Sequence, residues 1–451
     1  MADEIEIPEF ITRNINAKFK EFSIPPEVKR DLSVVVPMVK GTLLLKYGAH
    51  CYTFYNFRTL RGFNISISHQ DIARFKPEKL KKAAWSGSVP LLSFLFKRFH
   101  NNFSFIEQIM MMTVPHTVTS LGNGKFLVTL WSYFGFLEID CQKHTVTYKL
   151  IKDGAYKNVL GSQQYYDKEN DELYYSAYSL TQSIERIQNA DKPVSCSIFK
   201  KKNRTGETEL VWSGEFADYI HDIVINKPGT YCALPELGMY TDKDKNIVPS
   251  RVLILDLKTK KTWTIDRFYV AAHAQFDPKN PDIIYFSNHN FEFEHTDVMT
   301  LLKKATYSIK FRGPASVFKY RLTPNGPEEI GMFTDPDFYR LTNFHVFNHR
   351  GIMIIAALGF PDEIYILDAD KMSFIKKVKV ANPRELKNFY SRKPTLIGTF
   401  SPSIDGEKLY VQTTRSFQVV DIATGGPDYF ISHFFNRTAS NHMQSSSDTD
   451  W

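Results

Sequence analysis

Short apolar runs recur along this chain in pairs, and a polar turn separates the two members of each pair. The turns contain the Gly, Asn, Asp and Pro residues that reverse β-strands, as in Gly122-Asn123-Gly124, Lys227-Pro228-Gly229 and Lys279-Asn280-Pro281-Asp282. A third run often follows, for example Val252-Leu253-Ile254-Leu255. Units of about 50 residues with three or four strands each are typical of β-propeller blades.

We therefore predict an all-β fold, a β-propeller in which six blades are visible and seven are expected. Residues 1–33 are predicted to form an N-terminal arm, residues 34–435 the propeller and residues 436–451 a polar, disordered tail. Residues 34–112 should hold the divergent seventh blade and a basic, apolar insertion. A helical insertion is expected at 297–312. One domain suffices for the 451 residues, because propellers grow by adding blades around an axis.

Four units carry a histidine about ten residues before the second apolar run. They are His116, His221, His273 and His345. Gln163 and Thr399 occupy the corresponding point of two further units. The first strand of each blade lines the central channel, so equivalent residues converge on one axis. We therefore predict that the four imidazoles hold a metal ion and that Gln163 and Thr399 line the same cavity.

The residue types narrow the choice of metal. Imidazole suits iron, copper, nickel and zinc. The chain has four cysteines but no Cys-x-x-Cys pair, so a structural zinc site is not expected. A neutral shell of four histidines leaves positions open for oxygen or substrate, which favours Fe(II), with copper or manganese as alternatives. A histidine at a strand start is also often a hydrogen-bonded residue without chemistry, and that is the competing interpretation.

Carboxylates near the histidines are candidates for an outer shell. Asp222 directly follows His221, so it should point to the opposite face of its strand and is a poor direct ligand. With His289 and Glu292, it is a candidate to hydrogen-bond to the ligating imidazoles. The density of His and Glu from His289 to His295 also allows a second metal site as an alternative.

Three of the histidines stand in longer phrases, which are Ala272-His273-Ala274-Gln275-Phe276-Asp277-Pro278, His221-Asp222-Ile223-Val224-Ile225-Asn226 and Phe344-His345-Val346-Phe347-Asn348. These phrases resemble the ligand motifs of carotenoid cleavage oxygenases, seven-bladed propellers that hold Fe(II) with four histidines. The first two phrases stand here in the reverse of the family's order. The resemblance implies a mononuclear non-haem iron oxygenase that acts on a lipophilic or electron-rich small molecule.

Two other functions remain open. The layout around His273 and around Ser401 to Gly406 is also similar to oligogalacturonate lyases, so a metal-dependent lyase or isomerase would use the same site. A propeller that binds a partner without catalysis is the other alternative. The chain has no Gly-x-Ser-x-Gly elbow and no phosphate-binding glycine motif, which argues against serine hydrolase and nucleotide chemistry.

The distribution of charged residues indicates which partners and which cellular location to expect. The net charge of +7 is spread over the chain without a basic stripe, so nucleic acid is not an expected partner. Residues 74–112 interleave basic and apolar side chains, which fits a cap on the propeller, the mouth of an oily pocket or a peripheral membrane contact. Because residues 1–6 are acidic and no apolar signal region follows, we expect a cytoplasmic protein, with peripheral membrane attachment as an option.

Overall fold

A computed structural model describes the following residues of the chain, which include most of the predicted strands. They are 7, 9–40, 49–68, 71, 115–130, 135–151, 158–160, 164–179, 182, 194–216, 220, 222–236, 250–268, 271–288, 291–293, 309–311, 313–338, 343–359, 363–380, 397–413, 416–432, 439–440 and 443–451. Within them, 34 strands and a 3-10 turn at Pro26–Val28 have both ends defined.

The first half of the chain supplies the following strands. They are β1 (Phe10–Ile15), β2 (Ala17–Ser23), β3 (Ser33–Lys40), β4 (Ala49–Asn56), β5 (Arg61–Ser68), β6 (Pro115–Gly122), β7 (Lys125–Leu130), β8 (Gly135–Asp140), β9 (Thr145–Ile151), β10 (Asn158–Leu160), β11 (Tyr165–Asp167), β12 (Glu172–Ser179), β13 (Val194–Lys202), β14 (Thr208–Phe216), β15 (Val224–Ile225), β16 (Tyr231–Pro235), β17 (Ser250–Asp256) and β18 (Thr262–Phe268).

The second half supplies the remaining strands. They are β19 (Ala271–Phe276), β20 (Ile283–Asn288), β21 (Phe291–Phe293), β22 (Ile309–Phe311), β23 (Ser316–Thr323), β24 (Gly326–Thr334), β25 (Phe344–His349), β26 (Ile352–Gly359), β27 (Glu363–Asp368), β28 (Ser373–Lys379), β29 (Ile397–Pro402), β30 (Lys408–Thr413), β31 (Ser416–Asp421), β32 (Pro427–Ser432), β33 (Ala439–Ser440) and β34 (Gln444–Ser446).

These strands form a seven-bladed propeller, which confirms the predicted fold class and the expected seventh blade. Blade 1 contains β3 to β5, and blades 2, 3 and 4 contain β6 to β9, β10 to β14 and β15 to β18. Blade 5 contains β19, β20, β23 and β24, with the small sheet β21–β22 inserted, and blades 6 and 7 contain β25 to β28 and β29 to β32. First strands of neighbouring blades touch around the ring, as β19 touches β25 and β25 touches β29.

The core lies between the blades rather than in one central layer. The second and third strands of each blade are buried on both faces, which is why they read as unbroken apolar runs such as Ile283 to Phe286. One cluster joins blades 1 to 4, and another joins blades 6 and 7 to blade 1. Facing sheets of β-branched and aromatic residues supply the hydrophobic stabilisation.

The two ends of the chain add strands to opposite sides of the blades. In the N-terminal arm, β1 pairs with β9 at the outer edge of blade 2, and β2 pairs with β5 at the outer edge of blade 1. At the other end, β33 and β34 pair with β3 and supply the first strand of blade 1. The prediction of a disordered tail is therefore wrong for residues 439–440 and 443–451. Backbone pairing with β3 holds this polar stretch, although it has few apolar side chains.

Both predicted insertions lie mostly outside the residues that the structure describes. Residues 74–112 lie outside the described residues, and so does most of the expected helical insertion at 297–312. The part of that insertion which the structure describes, Ile309–Phe311, is a strand paired with β21, so the prediction of a helix is wrong there. Among the described residues, no helix is long and apolar enough to cross a membrane.

An ion pair inside blade 7 gives the fold a pH dependence that can be measured. Lys408 Nζ donates to Asp421 Oδ2 at 2.6 Å, and the Thr424 N–H donates to Oδ1 at 2.7 Å. Burial acts to raise the pKa of Asp421, but these hydrogen bonds outweigh it and lower the pKa to about 2. The unfolded value is about 3.9, so ionised Asp421 stabilises the folded state above that pH, and this contribution is lost as the pH falls through 2.

We expect Asp421→Asn to be less stable than the wild type at pH 7, with the difference shrinking as the pH falls from about 4 to 2. Urea unfolding of both proteins at several pH values measures it. A difference that stays constant over this range would show that the carboxylate charge does not contribute.

Candidate functional site

The first strands of blades 2, 4, 5 and 7 share one irregularity. In each of them, five residues of the first strand stand opposite four residues of the second. The flanking pairs are Pro115–Leu130 and Thr119–Leu127, Ile220–Glu236 and Val224–Ala233, Ala271–Asn288 and Gln275–Tyr285, and Ile397–Thr413 and Ser401–Tyr410. The extra residue is a β-bulge, a feature that re-aims the side chains beside it.

The bulge defines one equivalent position in these blades, which we call the His273 level. It holds Thr117, Asp222, His273 and Thr399. In two blades a hydroxyl on the second strand fixes the backbone there, because the Thr117 N–H donates to Thr129 Oγ1 at 3.1 Å and the His273 N–H donates to Ser287 Oγ at 3.1 Å. Two predicted residues, His273 and Thr399, stand at this level.

The predicted ligands whose backbone the structure describes do not all share this level, so the expectation of one common register is wrong. His116 precedes the level by one residue and His221 stands one residue before Asp222. His345 lies in blade 6, whose first strand pairs regularly with its second. Its Nε2 donates to the carbonyl of Phe400, the residue that follows Thr399, at 2.9 Å. Counting back from the second apolar run cannot detect a bulge or a turn of different length.

Two members of the His273 level touch each other across neighbouring blades. Asp222 Oδ2 lies 3.3 Å from His273 Nδ1, and both side chains are buried. A carboxylate facing a ring nitrogen fixes the imidazole plane and favours the tautomer with its proton on Nδ1. In the neutral ring with this tautomer, the lone pair is on Nε2, which is the form that binds a metal ion. Asp222 therefore lies beside an imidazole of the next blade, and the sequence did not show which histidine it would contact.

His345 provides a second imidazole of fixed protonation. Burial lowers its pKa to about 4, although the hydrogen bond to the Phe400 carbonyl acts to raise it, and His273 nearby lowers it further. The side chain of His345 is half-buried. At neutral pH this imidazole is uncharged, and because Nε2 donates its proton to Phe400, the lone pair is on Nδ1.

The other predicted residues are placed as follows. Thr399 is buried, and its Oγ1 accepts hydrogen bonds from the Met443 N–H at 3.2 Å and from Asn343 Nδ2 at 3.5 Å. His116 lies on β6 and Glu292 on β21, but their side chains lie outside the described residues. Three predicted residues lie wholly outside the described ranges, namely Gln163, His221 and His289.

The sequence analysis missed an ion pair beside the site, between buried Glu236 and half-buried Arg251. Glu236, which directly follows β16 in blade 4, accepts from Arg251 Nη2 at 2.6 Å and from its Nε at 3.1 Å. The Glu236 backbone forms the bridge to Ile220, and Ser250 Oγ donates to the Glu236 carbonyl while accepting the Ala271 N–H. This network fixes the starts of the two first strands that carry Asp222 and His273. The acidic residue after Leu234-Pro235 was the available signal.

The described part of the chain does not contain a complete metal site. No three His, Cys, Asp or Glu side chains there come together closely enough to hold an ion. His273 and His345 are the two predicted ligands whose rings the structure describes. A fuller set of ligands would have to include residues outside the described ranges.

No family model matches this chain, and no curated protein sequence matches it. Among solved structures, the chain is similar to Saccharomyces cerevisiae Sqt1, with a TM-score of 0.40 and 8% sequence identity over 60% of this chain and 61% of that one. The chain thus spans less than two thirds of that protein's length. The resemblance to carotenoid cleavage oxygenases stays a prediction from short motifs.

Proposed function

We propose that this propeller is a metal-dependent enzyme whose ion, Fe(II), binds at the end of the channel marked by the His273 level. The observation that carries the proposal is the contact between Asp222 and His273. A buried carboxylate behind an imidazole is the arrangement that orients metal-binding histidines and strengthens them as ligands. Copper and manganese are the alternative ions.

Two described imidazoles suit this role. His273 is oriented by Asp222, and His345 is held neutral with its lone pair on Nδ1. The bulges favour convergence of further ligands despite the different registers, because they re-aim side chains at adjacent positions. His116 and His221 both stand one residue before the bulge-defined level, so they are the proposed partners of His273 and His345.

The chemistry proposed is an oxygenase reaction on a lipophilic or electron-rich small molecule. Bound Fe(II) with histidine ligands would supply open positions for oxygen or substrate. The protein's own contribution is to hold the imidazoles in one tautomer and to keep their surroundings dry. A lyase or isomerase reaction on the same site is the alternative chemistry. Cytoplasmic location and a peripheral membrane contact through residues 74–112 belong to this proposal.

A second candidate function is a binding scaffold without chemistry, and the contacts between first strands favour it. Gln275 in blade 5 accepts from the Val346 N–H in blade 6 at 2.8 Å. Ser401 in blade 7 accepts from the Ser445 N–H at 3.1 Å. His345 makes a contact of the same kind with Phe400. On this interpretation, polar residues of the first strands join the blades, and His345 is one of these joints.

Elemental analysis of the purified protein, prepared without a histidine tag, separates the two functions. We expect close to one iron per chain in the wild type and its loss in His273→Ala. His144→Asn is the matched control, because His144 is exposed in a turn with a positive φ of 52°, which asparagine tolerates. A wild-type protein that holds no transition metal even after reconstitution would overturn the enzyme proposal and leave the scaffold.

A further inference from the structure

The last residues of the chain bind the propeller in a way that ring closure does not require. Closure is made by β33 and β34, which pair with β3. Residues 447–451 follow, and among the described residues they pair with no strand. They run instead over the turn of blade 2 and the edge of blade 1, where side chains hold them. This mode of contact is that of peptide recognition rather than sheet extension.

One anchor of this segment is Asp448, which is buried. Its carboxylate accepts the Gly124 N–H, with Oδ2 at 3.0 Å, and Ser120 Oγ donates to the same oxygen at 3.2 Å. Gly124 has a positive φ of 71°, and a Cβ there would lie 2.9 Å from Trp451 Cβ. The turn therefore offers the Gly124 amide to the Asp448 carboxylate, and the missing side chain leaves room for Trp451.

The second anchor is the indole of Trp451. Its ring lies 5.7 Å from Phe63, 5.9 Å from Phe54 and 6.1 Å from Phe126, measured between ring centroids. These three rings belong to blades 1 and 2 and form an aromatic floor. Within the segment, the indole N–H donates to the Asp448 carbonyl at 3.2 Å. The aspartate and the tryptophan are thus presented together as one compact turn.

Between the anchors, the propeller contacts both the backbone and the side chains of the segment. Asn56 Nδ2 donates to the Thr449 carbonyl at 3.0 Å and to the Trp451 carbonyl at 2.7 Å. Arg58 Nη1 donates to Thr449 Oγ1 at 3.0 Å, and Gln142 Nε2 donates to the Asp450 carbonyl. The hydrogen bonds to carbonyls fix the path of a peptide without regard to its side chains. The two anchors carry most of the side-chain specificity, and Arg58 adds contacts with Thr449 Oγ1 and, at 3.8 Å, with Asp450 Oδ1.

We propose that this surface is a peptide-binding site for segments with an aspartate and, three residues later, a tryptophan, and that the chain's own residues 448–451 occupy it reversibly. The tail-binding surface consists of Asn56, Arg58, Ser120, Gly124 and Gln142 around the floor of Phe54, Phe63 and Phe126. Occupation by the chain's own tail competes with any such segment supplied from outside. The proposal does not depend on the metal site.

The test uses full-length protein and a fluorescent peptide with the sequence of residues 440–451. In the double variant Asp448→Ala and Trp451→Ala, the tail loses both anchors while the tail-binding surface stays intact. A tethered tail competes at an effective concentration of about a millimolar. We therefore expect the peptide to bind the double variant at least tenfold more tightly than the wild type, measured by fluorescence anisotropy.

Two controls sharpen the result. A peptide with both anchors replaced by alanine should not bind, and adding Arg58→Ala and Gln142→Ala to the double variant should weaken binding of the unchanged peptide. If the double variant does not fold, Trp451→Ala alone is titrated in the same way, since it keeps Asp448 and β34. No binding to a folded variant, or equal binding of the two peptides, would overturn the proposal.

Discussion

Replacing Phe417 with alanine is expected to lower the free energy of unfolding by about 3–5 kcal/mol, the range for removing a buried aromatic ring. Phe417 lies on β31 of blade 7 and is fully buried. Its ring stacks on Tyr55 of blade 1, with centroids 4.4 Å apart and planes inclined by 20°, and it also lies 6.0 Å from Tyr410. The substitution therefore opens a cavity where the last blade meets the first.

Phe417→Ala is expected to cost more stability than a substitution at an ordinary core position, because a propeller must close its ring. Tyr55 and Phe57 also belong to the cluster, so the loss of Phe417 removes contacts on both sides of the closing interface. Urea unfolding followed by circular dichroism gives the difference in free energy. Phe374→Ala is the matched control, since that ring is 46% exposed on the outermost strand of blade 6, and a loss near 0.5 kcal/mol is expected there. Equal losses for the two variants would contradict the assignment.

The fold class followed from local signals, and the structure bears it out. Hairpin turns such as Gly122-Asn123-Gly124 place residues at a positive φ where the sequence offers Gly and Asn, which tolerate it. These signals recur in six units, so six blades could be predicted from them, and the seventh was expected in residues 34–112. The strand pairs on either side of each turn then follow from the unbroken apolar runs.

Ring closure could not be predicted from the sequence, because it depends on contacts between the two ends of the chain. Residues 443–451 are polar and serine-rich, a composition typical of disorder. Their order comes from pairing with β3, which lies about 400 residues earlier along the chain, and from the buried contacts of Asp448. No local property of a segment reports such a partner. The tail was therefore assigned incorrectly for a physical reason.

The candidate site could be predicted only in part, because the β-bulges were not visible in the sequence. A count of residues identifies which blades carry histidines but not how one extra residue shifts each register. Asp222 was assigned to the opposite face from His221 by strict alternation along a strand. In the structure Asp222 stands at the same level as His273 of the next blade and contacts it. Alternation along one strand does not say which residue of the next blade a side chain meets.

The contact between Asp222 and His273 leads to the second large expected effect, which rests on the proposed function. We expect Asp222→Asn to weaken iron binding by about 10–100-fold, the usual cost of losing the carboxylate behind a ligating histidine. Asparagine has nearly the same shape, so the packing around His273 is kept. What is lost is the negative charge that holds the Nδ1 proton and strengthens the opposite nitrogen as a ligand.

Metal affinity and folding stability separate a positioning role from a purely structural one. Competition with a chelator measures the iron affinity of wild type, Asp222→Asn and Glu236→Gln, and urea unfolding of the metal-free proteins measures their stability. Glu236 is also buried and carboxylic, but it pairs with Arg251 rather than with an imidazole. If Asp222 positions the ligand, its variant loses affinity beyond any loss of stability, whereas Glu236→Gln loses mainly stability. A stability loss in Asp222→Asn with unchanged iron affinity would make the pair a link between blades 4 and 5, as the scaffold function requires.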